Sequence, residues 1–176
     1  MQNTRISFTA TLFAIMAFSA AAASNAVHAA ELKVGDEAPD FELPGIDDSS
    51  VKLSSFEKKK NTVVVFSRAH WCPFCMGHLK QLAKSYEKIA ETGTEVIVVF
   101  REERNGEDGL KRSKKTSSAT FPLVLDLGKI KTAKYSSDGY ATYVIDKSGK
   151  ISAIHKGTKK NRPQPEAILK SLKSLK

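Results

Sequence analysis

The sequence predicts an α/β domain with a central mixed β-sheet flanked by helices and an N-terminal β-hairpin extension. Two apolar runs carry this expectation, Val63-Val64-Val65-Phe66 and Val96-Ile97-Val98-Val99. Neither alternates with polar residues, as befits strands covered on both faces. Between them Leu79, Leu82, Tyr86 and Ile89 recur at helical spacing, and a parallel pairing of the flanking strands needs a right-handed crossover of this length. The third observation is a hairpin signature: 141–146 and 151–155 flank Lys147-Ser148-Gly149-Lys150, which has turn chemistry.

Residues 1–29 read as a secretory signal peptide. Arg5 is their only charge, the stretch from Ile6 to Ala23 is apolar but rich in Ser, Thr and Ala, and small residues at Val27 and Ala29 suit cleavage after Ala29. The remaining 30–176 is a length suited to one domain with a real core, and no second long apolar segment follows. The expected compartment is the periplasm or the exterior, where disulfides persist. Membrane contact is expected only transiently, through the leader.

Within that domain, Gly35, Pro39 and Pro44 around Phe41-Glu42-Leu43 suggest short extended pieces. Asp47-Asp48-Ser49-Ser50 is a turn before Val51-Lys52-Leu53, which alternates as a half-exposed strand does. Arg101 to Ser118 is charged and holds Gly106 and Gly109, predicting a loop and then a short basic helix. Phe121 to Asp126 restores an apolar stretch, and Pro165 to Leu175 ends the chain as an amphipathic helix.

The 28 Lys plus Arg against 19 Asp plus Glu give a net charge of +9. The lysines fall in separate groups (58–60, 111–115, 159–160, 170–176) on expected loop and helix surfaces. Such spacing is that of solvated faces, which could also favour anionic envelope polymers or acidic partners. Export and the absence of a nucleic-acid motif argue against nucleic acid.

Trp71-Cys72-Pro73-Phe74-Cys75 holds both cysteines of the chain, between the first buried strand and the helix. As a staple the pair would do little, since a four-residue ring contributes roughly 2 kcal/mol against nearly 5 for a loop of about 100 residues. As a metal site, Cys72, Cys75 and His78, with His70 nearby, have ligand-like intervals but lack a second Cys pair. No metal or other cofactor is expected. A redox dithiol is the leading reading.

At this point the chain resembles the thioredoxin-fold superfamily, and within it the peroxiredoxin-like group of alkyl hydroperoxide reductase and thiol-specific antioxidant proteins. The matching segments are 34–43, 51–56, the Cys72–Cys75 motif, 121–126 and 142–151. The resemblance implies a thioredoxin-like fold and an oxidoreductase acting on disulfides or peroxides. It also marks two departures. If Cys75 is taken as the peroxidatic cysteine, Cys72 stands where the group carries Thr, and Tyr140 appears where its remote Arg would be; Tyr140 or Ala141 fills the place of the cis-Pro of ordinary thioredoxins. Arg68 is a candidate substitute for that Arg.

Pro73 suits a first helical position, which puts Cys72 at the N-cap. There the helix dipole and free N–H groups lower a cysteine pKa from about 8.5 toward neutrality or below. Cys72 is therefore expected to be the exposed, attacking sulfur in disulfide exchange, and Cys75 the covered, resolving one. In peroxide reduction the roles reverse: Cys75 becomes a sulfenic acid that Cys72 condenses with. Trp71 and Phe74 border the site, as packing or as a platform facing substrate. His70 and His78 are expected to be ordinary exposed histidines that could serve a thiolate, and Arg68 either lowers a thiolate pKa or faces solvent.

Glu95, Arg101 and Glu102 are assigned no role. The expected function is exported thiol–disulfide exchange, with thiol-dependent peroxide reduction as the alternative and a binding module with a vestigial or sensory dithiol as the second. The expected partners are a protein or small thiol as electron donor and a disulfide-bearing protein or a peroxide as substrate.

Overall fold

A computed structural model describes residues 31–135 and 139–175. The expected leader lies outside them. A short antiparallel hairpin, β1 (Glu42–Pro44) and β2 (Ser50–Lys52), opens the domain, with Leu43 opposite Val51. Then follow β3 (Asn61–Ser67), α1 (Pro73–Ala90), β4 (Thr94–Phe100), α2 (Gly106–Ser117), β5 (Leu123–Leu125), β6 (Thr142–Ile145), β7 (Ile151–His155) and α3 (Pro165–Lys173). The sheet order is β5-β4-β3-β6-β7. Pairings β3–β4 and β4–β5 are parallel, and β3–β6 and β6–β7 are antiparallel. This is the expected mixed sheet.

Both faces of the sheet are covered, which is why the central strands are apolar without a break. Successive side chains point to opposite faces. Val63 and Val65 of β3 join Leu79, Leu82 and Ile89 of α1, Leu110 of α2, and Ile168 and Leu172 of α3. Val64 and Phe66 join Phe41, Leu43, Leu53, Tyr135 and Tyr143 on the other face. The buried side chains of all three helices thus pack on one face, while the N-terminal hairpin and the loop bearing Tyr135 close the other.

The register sets what meets at one end of this sheet. Because β3 and β4 run parallel, their C-terminal ends, Ser67 and Phe100, lie side by side. Antiparallel β6 begins there, with Val65 opposite Thr142, and β7 ends there, with Thr142 opposite His155. Four segments therefore converge: those after β3, after β4, before β6 and after β7. Backbone bonds tie the first two, Arg101 N–H donating to Ser67 O at 3.0 Å and Glu102 N–H to Arg68 O at 2.9 Å.

Arg101, given no role from sequence, is buried and structural. Its guanidinium donates to the carbonyl and hydroxyl oxygens of Thr132 and lies 3.8 Å from the Phe66 ring centroid. Asp126, also buried, accepts from the Lys131 and Thr132 amides and so fastens the same loop. Among the described residues no helix is long and apolar enough to cross a membrane.

Candidate redox site

After β3 the chain turns once, Cys72 N–H donating to Ala69 O at 3.2 Å, and enters α1. Cys72 is the N-cap, with extended backbone (φ −90°, ψ 109°), and Pro73 follows at the start of the helix. The Cys72 sulfur accepts from the Cys75 amide at 3.3 Å, one of the helix N–H groups with no partner inside the helix. Cys72 and Cys75 are joined in a disulfide, with Cα atoms 5.2 Å apart.

One expectation is corrected here: Cys72 is not the exposed sulfur. Both cysteines are 2% exposed and belong to the buried cluster with Met76 and Leu79. Bonded to each other, the two sulfurs fold against the first turn of α1. The exposed parts of the motif are instead Pro73 and the two aromatic rings, Trp71 at 43% and Phe74 at 42%.

The segment after β7 supplies the group that sequence reading missed. Arg162 is buried, and its Nη2 donates to the Cys75 sulfur at 3.0 Å. The guanidinium lies 4.3 Å from the Tyr140 ring centroid and also reaches Gly139 O at 3.5 Å. Tyr140, which occupies the place expected for an arginine, thus serves as a seat for one. The remote cation arrives by another route.

His78 explains how that segment is held. It is buried, one turn beyond Cys75, and its Nε2 lies 2.8 Å from Pro163 O. A carbonyl only accepts, so Nε2 carries the hydrogen. Burial above all pushes the pKa down to about 4; the Pro163 bond opposes this and the Arg162 charge adds to it. The expectation of an ordinary exposed histidine fails for His78. It is a neutral anchor for the backbone that carries Arg162.

Arg68 does not substitute for the remote arginine. Its Nε and Nη2 meet Glu102 Oε2 at 2.8 and 2.7 Å, and its guanidinium carbon lies 4.8 Å from the Trp71 ring centroid. The bond from Arg68 holds the Glu102 carboxyl below the usual carboxylate range. Arg68 therefore props Trp71 rather than a sulfur. His70, half-buried on the Ala69–Cys72 turn, sets its Nδ1 2.9 Å from Glu103 Oε1. Among the described residues no group of three or more His, Cys, Asp or Glu is placed to hold a metal ion.

The AhpC/TSA family description matches residues 34–154. The chain is 30% identical to the thioredoxin-like protein YneN of Bacillus subtilis over 128 residues, 72% of this chain and 74% of that protein. It is 32% identical to the chloroplastic peroxiredoxin Q of Oryza sativa subsp. japonica over 165 residues, 86% of this chain and 71% of that protein. Among solved structures, the peroxidoxin BcpB of Mycobacterium tuberculosis superposes with a TM-score of 0.71 at 18% identity, covering 83% of this chain and 99% of its own. That last likeness establishes the thioredoxin-like fold alone. With a family match across most of the domain and relatives on both the thioredoxin-like and the peroxiredoxin side, the chain belongs to the AhpC/TSA family, as an oxidoreductase acting on thiols or peroxides.

Proposed function

We propose that the protein is an exported thiol–disulfide oxidoreductase that cycles Cys72 and Cys75 between dithiol and disulfide. The observation that carries this is the unequal electrostatic setting of the two sulfurs: Cys72 caps α1, while Cys75 is touched by the buried Arg162. A partner thiolate attacks Cys72, a new sulfur–sulfur bond forms, the Cys72–Cys75 bond breaks, and the electron pair stays on Cys75. The guanidinium 3.0 Å away stabilises that leaving thiolate. A second thiolate then attacks the partner's sulfur and releases Cys72 as thiolate. Run in reverse, Cys72 opens a substrate disulfide and Cys75 resolves it.

The same contact favours a second reading, peroxide reduction. A Cys75 thiolate held by Arg162 would attack one oxygen of a peroxide, giving sulfenic acid and the alcohol or water. Cys72 would then condense with it, forming the same disulfide and releasing water. The export leader and a protein or small-thiol electron donor belong to both readings. Trp71 and Phe74, exposed beside the motif, are the surfaces a partner would meet.

Insulin reduction with dithiothreitol tests the first reading, and peroxide consumption with the same reductant tests the second. Cys72→Ser should abolish exchange turnover yet leave one stoichiometric peroxide reaction at Cys75. Exchange surviving in Cys72→Ser but lost in Cys75→Ser would overturn the assignment of roles.

A further inference from the structure

Glu103 has no part in the chemistry above, yet its environment is built for a buried anion. It is fully buried, 0% exposed, in the loop that follows β4. Its carboxylate faces three N–H groups: the His70 amide at 2.7 Å, the Asn105 amide at 3.1 Å, and His70 Nδ1 at 2.9 and 3.0 Å from its two oxygens. Room for it exists because α2 has Gly109 there: a Cβ at that position would overlap the carboxyl carbon of Glu103. A buried carboxylate is costly unless hydrogen-bonded, and here the fold supplies the bonds and gives up a helical side chain to seat it.

His70 stands on the turn that delivers Cys72, closed by the Cys72 N–H to Ala69 O bond. With Nδ1 engaged by Glu103, Nε2 is the nitrogen left for exchanging protons, and the side chain is 20% exposed. The other charged groups at this corner are Arg68, Glu102 and Arg162, with Arg104 and Lys129 close enough to help hold the Glu102 carboxyl down. Arg68 and Glu102, neighbours on the same two loops, pair with each other. Arg162, from the segment after β7, lies at Cys75 on Tyr140. Helix α2 presents Gly109, which brings no charge.

We infer that His70 and Glu103 form a proton-relay dyad that deprotonates the thiol arriving at the Cys72–Cys75 disulfide. The inference rests on the exchange reading. The incoming thiol gives its proton to His70 Nε2, and the resulting imidazolium is stabilised by Glu103 through Nδ1–H. The thiolate bonds to the Cys72 sulfur, the disulfide breaks, and the electron pair passes to Cys75. The imidazolium then returns the proton to a departing or newly reduced sulfur. Glu103 touches no reacting atom and is a positioning residue.

The test is the rate at which dithiothreitol reduces the oxidised full domain, followed by stopped-flow fluorescence of Trp71, the one tryptophan of the chain, from about pH 6.5 to about pH 9.5. His70→Ala keeps the backbone N–H that Glu103 accepts. It should be about fivefold or more slower than wild type at the acid end and converge with it at the alkaline end, where the thiol ionises unaided. Added imidazole should restore His70→Ala and leave wild type unchanged, and Glu103→Gln should lose rate with the same pH dependence. A wild-type to His70→Ala ratio that is flat with pH, in a protein that still reduces insulin, overturns the dyad alone. Failure of wild type to reduce insulin overturns the exchange reading and the dyad with it.

Discussion

Arg162 reaches Cys75 from 87 residues further along the chain, and at the scale of single residues it is the group that most alters the chemistry. A buried cation beside a neutral disulfide is poorly matched, and becomes matched when reduction leaves a thiolate there, so it favours the reduced form. Arg162→Met should make the couple more negative by about 30–60 mV, the equivalent of a charged hydrogen bond of roughly 1.5–3 kcal/mol. Equilibration with glutathione buffers measures this, and Arg162→Lys should recover part of the shift. His78 gives a pH prediction. In the unfolded chain its ring takes up a proton near 6.5, but in the fold only near about 4. Unfolding therefore binds a proton between those values, and stability falls as pH is lowered through that window, by roughly 3 kcal/mol in all. Urea titrations at about pH 7 and pH 4.5 should show a smaller loss for His78→Gln than for wild type. Sequence marked His78 for its spacing from the cysteines but not for its carbonyl partner, because Pro163 is 85 residues away. Arg162 gave no local signal.

At the scale of elements, α1 was legible because each local choice agrees. Proline stands at the first helical position, cysteine at the N-cap, and Leu79, Leu82 and Ile89 fall on one buried face. Helix α2 shows where such rules fail. Gly109 sits inside it, and replacing a helical glycine by alanine ordinarily gains about 1 kcal/mol. Here the new Cβ would meet Glu103, which is held by three N–H groups and cannot move cheaply. Gly109→Ala should instead destabilise by about 1–3 kcal/mol in chemical denaturation. The same substitution in Glu103→Ala should lose most of that penalty, since the clash is with that one side chain. Glu103 itself was invisible from sequence: in a run of charged residues, nothing local distinguishes the acid that folds inward from Glu102, which pairs with Arg68 nearer the surface.

At the scale of the whole molecule, the sheet register brings four loops to one end, and the redox site is assembled from three of them, with the segment after β4 adding Glu102 and Glu103. The lysine groups at 58–60, 111–115 and 159–160 lie on exposed positions, as expected of solvated faces. The proposed leader is tested at this scale too: expressed with its full sequence in a bacterial host, the protein should be recovered from the periplasmic fraction beginning at Ala30, as intact-mass measurement and N-terminal sequencing would report. The amino-acid sequence alone determined the mixed sheet, the order of its elements and the place of the dithiol at a helix start. Those depend on apolar periodicity and on the chemistry of adjacent residues, both of which are local. Only the tertiary structure decided which cation meets which sulfur, that both sulfurs are buried while Trp71 and Phe74 stay exposed, and that His70 and His78 have different partners. Those facts depend on contacts between loops distant in the chain, whose geometry is fixed by strand register and not by any neighbouring residue.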